Sequence, residues 1–168
     1  MLFLVHSCSG SLGIEDKRIP DGAFTASGSY DNNHRPSLAR LNILSDGKHV
    51  GAWCPKHNST NQWLQIDLGE ITAVTKVATQ GRYNSEDRVK TYTLSYSVDG
   101  MHWTSYKQRA TEKVHLKANP SEKSFSVKNL PSFKLISATL GKGKKGCKMH
   151  YPRENRFQGR LLLTKYNI

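Results

Sequence analysis

Apolar and polar positions alternate through the middle of the chain with the two-residue period of β-strands. In residues 63–68, Leu or Ile occupies every second position. In residues 91–98, Tyr, Leu, Tyr and Val alternate with threonines and serines, so four apolar side chains share one face. Asp99-Gly100 then predicts a tight turn, after which residues 101–106 return as a partner strand. The pattern predicts an antiparallel hairpin and at least one further strand.

The remaining pattern also favours strands over helices. Residues 71–80 are rich in Val and Thr, and residues 124–128 are a further short candidate strand. No window of ten or more residues carries the apolar stripe of an amphipathic helix. Short strands broken by Gly, Asn, Asp and Pro predict an all-β fold, an antiparallel sandwich or barrel. Three polar stretches are predicted to be long loops, where binding residues commonly lie: 28–36, 45–49 and 81–88.

Length and charge limit the alternatives. The chain has 168 residues, which suits one domain, and no apolar run approaches the roughly 18 residues that cross a bilayer. Residues 1–5 are apolar but too short for a signal peptide, so a clipped signal remnant and a buried first strand both stay open. Residues 141–168 hold eight Lys/Arg and one Glu, which is +7 of the net charge of +12. This basic tail predicts either attraction to polyanions, nucleic acid included, or a solvated segment.

Candidate reaction chemistry is sparse. Three cysteines allow at most one internal disulfide, and no CxxC pair indicates a zinc site. The spacing of His49, Cys54 and His57 does not favour a metal centre, and nothing places a base beside the Cys54 thiol. Asp67 is the best-placed acid, but we expect a structural pairing with Arg40 or with backbone donors near Trp53. The sequence therefore predicts neither an enzyme nor a metal site.

Long ordered motifs carry a family resemblance. Residues 8–27 read CSGSLGIEDKRIPDGAFTAS, residues 51–82 read GAWCPKHNSTNQWLQIDLGEITAVTKVATQGR, and residues 89–107 read VKTYTLSYSVDGMHWTSYK. Over about residues 8–130 the chain resembles a discoidin domain, also called the coagulation factor V/VIII type C domain. The resemblance implies a jelly-roll-like sandwich. We therefore expect an N-terminal remnant at 1–7, the domain at 8–140 and an atypical basic tail at 141–168.

The resemblance implies a binding module without catalysis. Members attach proteins to glycans, anionic phospholipid surfaces or extracellular proteins through loops at one end of the barrel. A structural calcium ion is a weak further expectation, since some sugar-binding relatives carry one. On this sequence the implied ligand contacts are Tyr30, Asp31, Asn32, Asn33, His34 and Arg35 in the first loop, Asp46, Lys48 and His49 in the second, and Arg82, Tyr83, Asn84 and Arg88 in the third.

The content of those loops favours polar recognition. Lipid-binding members present bulky apolar side chains at the loop tips, and such side chains gain free energy by entering the bilayer boundary. No Trp, Phe, Leu or Met lies within the three tips. Tyrosine faces can stack on sugar rings, and arginines can grip carboxylate, sulfate or phosphate.

Other residues are assigned to the framework. The resemblance implies structural roles for Arg40, Trp53, Trp63 and Asp67, with Trp53 and Trp63 in the barrel wall. It also implies a disulfide between cysteines near the two ends, for which Cys8 and Cys147 are the candidates, although the sequence after residue 130 departs from the family pattern. Residues 161–163 are a candidate substitute strand there. Asn58 begins an N-x-S/T sequon, which fits an extracellular or secreted module.

Two functional alternatives stay open. The basic tail could bind nucleic acid or another polyanion, although no stacking motif or recognition helix accompanies it, and no specific nucleic acid is expected. The chain could also be a non-catalytic accessory fragment of a larger enzyme. An extracellular adhesion or recognition module is the leading interpretation.

Overall fold

Short strands dominate the chain. The computed structural model describes residues 10–57, 59–82, 89, 91–107, 123–126, 131–140 and 160–165. Within them lie three 3-10 turns, Asp21–Ala23, Asn32–His34 and Pro36–Leu38. No helix of this part is long and apolar enough to cross a membrane. The strands are β1 Gly10–Ser11, β2 Phe24–Ala26, β3 Trp63–Thr72, β4 Lys76–Gln80, β5 Tyr92–Ser97, β6 Thr104–Ser105, β7 Lys123–Ser126, β8 Phe133–Leu140 and β9 Arg160–Lys165.

These strands form two antiparallel sheets. The five-stranded sheet has the order β2-β3-β8-β5-β6, and the four-stranded sheet has the order β1-β9-β4-β7. One hydrophobic core joins them, with Ile66 and Leu94 from the first sheet and Val77 from the second. The predicted all-β antiparallel sandwich is therefore confirmed.

The alternation of the sequence sets which side chains enter that core. On β3, Leu64 and Ile66 are 4% and 0% exposed. On β5, Tyr92 and Leu94 are buried in the same way. Val98 breaks the expected pattern at 53% exposure, because β5 ends at Ser97 and the turn begins there. The predicted return strand is short, since only Thr104–Ser105 pairs with β5.

The last two strands are the main departure from the sequence-based prediction. β8 was not predicted, yet it lies at the centre of the five-stranded sheet, paired with β3 on one side and β5 on the other. β9 contains the apolar run 161–163 and pairs with both β1 and β4. The expected boundary at residue 140 thus does not separate a tail from the domain, because Arg160–Lys165 belongs to a sheet.

Arg40 holds the N-terminal part of the chain against the core. Its side chain has no exposed surface. The guanidinium donates to the carbonyl of Ile14 at 2.5 Å and to Asp21 Oδ1 at 2.7 Å, and it lies 4.5 Å from the centre of the Phe24 ring. These bonds engage the two terminal nitrogens of the guanidinium, whereas its buried Nε has no hydrogen-bond partner among the described residues. A buried charge is tolerated only when it is paired, as it is here with Asp21. The expected structural role of Arg40 is therefore supported by its burial.

The expected Arg40–Asp67 pair is wrong. Asp67 lies on the outer face of β3, where Oδ1 accepts from the backbone N–H of Gly69 at 2.8 Å and Oδ2 is 3.7 Å from Lys134 Nζ. Arg40 is buried and pairs instead with Asp21, whose side chain is 57% exposed. Asp67 is therefore held by a local backbone contact and a surface ion pair.

Replacing Arg40 should be strongly destabilising. Arg40→Ala leaves the Ile14 carbonyl without its donor and opens a cavity, so we expect a loss of about 3 kcal/mol in the free energy of unfolding, measured by chemical denaturation. Arg40→Lys keeps the charge but not the paired donors of the guanidinium, so its stability should lie between those of the parent protein and Arg40→Ala. Lys134→Ala is the control and should cost less than about 1 kcal/mol, because its ion pair is exposed. Equal effects of Arg40→Ala and Lys134→Ala would contradict this assignment.

Candidate ligand-binding loops

Several connections leave the sheets at one end of the sandwich, which we call the loop end. Ala26, the last residue of β2, pairs with Leu64 near the start of β3. The end of β8 lies beside the start of β5, where Leu140 pairs with Tyr92. The first predicted loop, residues 29–35, therefore follows β2 at the end of the fold where β5 begins.

The first loop is folded around Asp31. Its Oδ1 accepts from the backbone N–H of Asn33 at 2.8 Å and is 2.6 Å from His34 Nδ1. The His34 ring is 6% exposed, and Tyr30 meets it edge-on with 5.5 Å between ring centres. Burial of Asp31 opposes ionisation, but the hydrogen bonds from His34 and the backbone outweigh it and lower the pKa of Asp31. The loop therefore has an internal scaffold that leaves Asn32, Asn33 and Arg35 exposed.

The second loop repeats this arrangement. Asp46 Oδ1 accepts from the backbone N–H groups of Lys48 at 3.0 Å and His49 at 2.5 Å, and Oδ2 is 2.9 Å from His49 Nδ1. The hydroxyl of Ser45 donates to the His49 carbonyl at 3.0 Å. The bonds to Asp46 from the His49 side chain, from the His49 backbone and from the Lys48 backbone hold the pKa of Asp46 far below its usual range. The Lys48 side chain is exposed at the tip.

A third Asp-x-x-His sequence lies at the opposite end of the sandwich. In the turn after β5, Asp99 Oδ1 accepts from Met101 N–H at 2.8 Å and Oδ2 is 2.7 Å from His102 Nδ1. The side-chain bond from His102 is the largest of the causes that lower the pKa of Asp99, and it raises that of His102. We call this arrangement the Asp–His motif. Since it occurs at both ends, it builds turns and does not by itself mark a ligand site.

Backbone hydrogen bonds join the first two loops to each other and to Cys54. Tyr30 N–H donates to the Cys54 carbonyl at 2.9 Å, and Cys54 N–H donates to the His34 carbonyl at 3.2 Å. Val50 N–H, directly after the second loop, donates to the Asn33 carbonyl at 3.3 Å. The two loops therefore form one surface.

Cys54 corrects the expected disulfide. It is fully buried and forms a disulfide itself. With three cysteines in the chain, its partner is Cys8 or Cys147, both of which lie outside the described residues. A cysteine forms one disulfide only, so the expected Cys8–Cys147 pairing is wrong. Within the described residues, no group of three or more His, Cys, Asp or Glu is placed to hold a metal ion.

Positive side chains remain on the surface of the loop end. Arg35, Lys48 and Lys56 are exposed, and Arg82 is half-buried. Lys56 lies against the first loop, since a Cβ added to Gly28 would be 3.3 Å from its Cβ. The carboxylates of Asp31 and Asp46 are engaged by their own loops. The arrangement can attract an anionic ligand without first breaking an internal ion pair of these two aspartates.

The predicted contact residues separate into three groups. Asn32, Arg35 and Lys48 are exposed, as a ligand contact requires, whereas His34 is 6% exposed and is held within the first loop. Tyr83, Asn84 and Arg88 of the third loop lie outside the described residues, as does the sequon residue Asn58.

Of the framework tryptophans, Trp53 is 1% exposed and donates to the Gly28 carbonyl at 3.1 Å, and Trp63 is half-buried on β3.

The sequence analysis missed two residues next to the loops. Leu44, one residue before the second loop, is 58% exposed. Lys56 follows Cys54-Pro55 and packs against the first loop through Gly28. A Leu followed by the turn residues Ser-Asp-Gly is a signal that could have identified Leu44. Nothing local in the sequence places Lys56 beside the first loop.

The family model and the most similar curated proteins agree with each other. The family model for the F5/8 type C domain matches residues 23–135. Coagulation factor V of Mus musculus is 42% identical over 113 residues, which are 64% of this chain and 5% of that protein. Lactadherin of Rattus norvegicus is 40% identical over 118 residues, which are 66% of this chain and 27% of that protein. The chain therefore spans about a quarter or less of these relatives.

Solved structures show the same fold at low sequence identity. Discoidin II of Dictyostelium discoideum has a TM-score of 0.74 and 17% identity, with 98% of this chain and 60% of that chain covered. The CBM32-5 module of Clostridium perfringens, solved in complex with GalNAc-β-1,3-galactose, has a TM-score of 0.61 and 18% identity, with 88% of this chain and 98% of that chain covered. At these identities the likeness concerns the fold.

The second loop can be tested by its titration. Because the His49 side chain is the largest cause of the low pKa of Asp46, His49→Ala should raise that pKa toward its ordinary value of 3.8. In the parent protein this bond stabilises the fold above the ordinary pKa, and the stabilisation is lost as pH falls through the lowered pKa. In His49→Ala the bond is absent, so the free energy of unfolding should not show this loss at low pH. Carboxyl NMR titration measures the pKa, and chemical denaturation at several pH values measures the free energy of unfolding. His102→Ala, which affects Asp99 alone, is the matched control; an unchanged Asp46 titration in His49→Ala would contradict the assignment.

Proposed function

Because the chain belongs to the F5/8 type C domain family, whose modules bind glycans and phospholipid surfaces without catalysis, we propose that its loop end binds clustered anionic groups. The shared chemistry is that of carboxylate, sulfate or phosphate oxygens, carried by an acidic glycan or by phospholipid headgroups. Arg and Lys side chains bind such oxygens through charge-assisted hydrogen bonds. The two sources of these oxygens are distinguished by experiment below.

One observation carries this proposal: in the joined first and second loops the acids are hydrogen-bonded within their own loops, while the cations are exposed. Asp31 and Asp46 are consumed by the Asp–His motifs, while Arg35 and Lys48 stay exposed on the same surface. A fixed set of cations binds an anion with a smaller loss of conformational entropy than mobile ones. The internal bonds of the two loops therefore support binding as well as folding.

The apolar content of this surface supports shallow contact. Leu44 is the exposed large aliphatic side chain beside the second loop, and its burial contributes about 2 kcal/mol at most. Tyr30 is half-buried against His34, so its remaining ring surface is available for a sugar or headgroup. Stable anchoring in a bilayer requires more apolar surface than these two provide. Polar recognition at the surface of a membrane or glycan is the better match.

An extracellular location supports the same function. Disulfides such as that of Cys54 persist in oxidising compartments. Glycosylation of Asn58 and a structural calcium ion stay predictions. Since the chain spans a small part of its curated relatives, their whole activities are not carried over to it.

Removing two exposed lysines should weaken binding to polyanions. Binding of the protein to heparin, to phosphatidylserine vesicles, to phosphatidylcholine vesicles and to duplex DNA is measured at several salt concentrations, with and without calcium. Lys48→Ala/Lys56→Ala should reduce affinity for heparin or phosphatidylserine roughly tenfold and flatten its salt dependence. Lys76→Ala/Lys134→Ala removes the same charge at the far end of the sandwich and should leave binding within about twofold.

The arms of this experiment separate the sources of the anionic groups. Binding to heparin alone assigns an acidic glycan, and binding to phosphatidylserine but not phosphatidylcholine assigns anionic headgroups. Equal losses in both double variants, or preferred binding to DNA, would overturn the loop-end proposal, because net charge and not the built surface would then be responsible.

A further inference from the structure

The second loop is enclosed by two stems, residues 42–44 before it and residues 50–51 after it, which we call the neck. We infer that Asn42 positions this neck relative to the end of β4 and, on the basis of the proposed function, that the loop end thereby favours a ligand with regularly spaced anionic groups. Asn42 is a positioning residue, because it acts through the Lys48 side chain that the second loop carries.

Asn42 has a backbone conformation that few residues adopt. Its φ is +56°, which lies in the left-handed region. Asn enters this region more readily than most other residues, because its short polar side chain can form local hydrogen bonds. The chain therefore leaves the buried residues 39–41 through a sharp turn at Asn42 and continues into the second loop.

Two hydrogen bonds hold Asn42, and they go to distant parts of the chain. Its backbone N–H donates to Gln80 Oε1 at 3.0 Å, and its side-chain Nδ2 donates to Glu15 Oε1 at 2.8 Å. Gln80 is the last residue of β4, and Glu15 follows Ile14, whose carbonyl accepts from Arg40. Arg40 and Asn42 therefore bind neighbouring residues of one turn, and loss of the Asn42 bond leaves the Arg40 bond in place.

Gly51 brings the second stem of the neck against the first. Its φ is +66°, and a Cβ added there would lie 2.8 Å from the Ile43 carbonyl oxygen and 2.9 Å from that of Leu44. Only glycine permits such a close approach to backbone atoms. Because the two stems are in contact, a restraint on Asn42 acts on the whole second loop.

The neck is also joined to the first loop, since Val50 N–H donates to the Asn33 carbonyl at 3.3 Å. The second loop is therefore held by the first loop at one stem and by the end of β4 at the other. Neither of these bonds takes part in the contact between Asp46 and His49 that closes the loop itself. The shape of the second loop and its position are thus set by different interactions.

These restraints set the spacing of cationic side chains. Arg35 lies in the first loop, Lys48 lies in the second, and Arg82 lies two residues after the end of β4. Cations at fixed separations favour anionic groups at matching separations, because less conformational entropy is then lost on binding. An acidic glycan has such a repeat along its chain, whereas the headgroups of a fluid bilayer move laterally and adapt to any spacing. The neck should therefore matter more for a glycan than for a lipid surface.

Residual dipolar couplings test the positioning role without a ligand. In Gln80→Ala, which removes the acceptor of the Asn42 N–H, the couplings of the second-loop amides should no longer fit the parent structure, while those of β3 and β5 still fit it. The Asn42 amide should exchange with solvent roughly fivefold faster, the factor that one ordinary hydrogen bond supplies. The pKa of Asp46 should stay low, because its bonds lie within the loop. Asn42→Ala, which strains the left-handed backbone and loses the bond to Glu15, should shift the same couplings.

Two further variants separate the Asn42 contact from other effects. Gln65→Ala is the matched control, since it shortens the same kind of side chain on β3 and leaves the acceptor of Asn42 in place. Gln80→Glu keeps an acceptor oxygen and should restore the parent couplings. Unchanged second-loop couplings in Gln80→Ala or Asn42→Ala would overturn the positioning role, as would a failure of Gln80→Glu to restore them.

Binding measurements test the choice of ligand separately. In Gln80→Ala, affinity for heparin should fall roughly fivefold, whereas affinity for phosphatidylserine vesicles should stay within about twofold. Equal losses for both ligands, or binding of the parent protein to the vesicles but not to heparin, would overturn the preference for regular spacing. If the couplings shift and neither affinity changes, the positioning role stands and the proposed function of the loop end is wrong.

Discussion

The buried guanidinium of Arg40 is the interaction on which the arrangement of residues 14–40 depends. It joins three elements that are far apart in the sequence: the Ile14 carbonyl, the Asp21 turn and the Phe24 ring at the start of β2. A buried charge is costly without partners, so the hydrogen bonds to Ile14 and Asp21 favour one mutual arrangement of these elements. Because β2 leads directly into the first loop, the position of that loop depends on a contact inside the core.

The loop end combines local and long-range restraints. Within each of the first two loops, an aspartate and a histidine three residues later satisfy the turn. Between the loops, the backbone bonds of Val50 and Cys54 set their separation. The local bonds determine the shape of each loop, and the long-range bonds make one surface of two. A cationic binding surface needs both, because mobile side chains on independent loops would lose more entropy on binding.

Much of the fold could be predicted from the sequence, because the period of Leu64 and Ile66 and the Asp99-Gly100 turn are local signals. β8 could not, because Phe133–Leu140 mixes apolar residues with Lys, Ser and Thr, and its place between β3 and β5 depends on pairing with distant strands. The first two loops of the candidate site were predictable as polar stretches between strands. The burial of His34 was not, since a histidine in a polar loop has no local feature that distinguishes scaffold from ligand contact. The partner of Arg40 was also mispredicted, because no local feature of the sequence identifies it. Asp67 lies on a strand but faces outward, whereas the actual partner, Asp21, lies in a turn close to Arg40.

The Asp–His motif has a consequence for how such a domain diversifies. Each motif is closed by its first and fourth residues, so the two residues between them, Asn32 and Asn33 in one loop and Gly47 and Lys48 in the other, take no side-chain part in holding it. Substitution at the non-glycine positions among them leaves both the turn and the core intact. Selection for a new ligand can therefore act on these tips at little cost to folding, and one scaffold can supply many specificities by change at a few neighbouring codons.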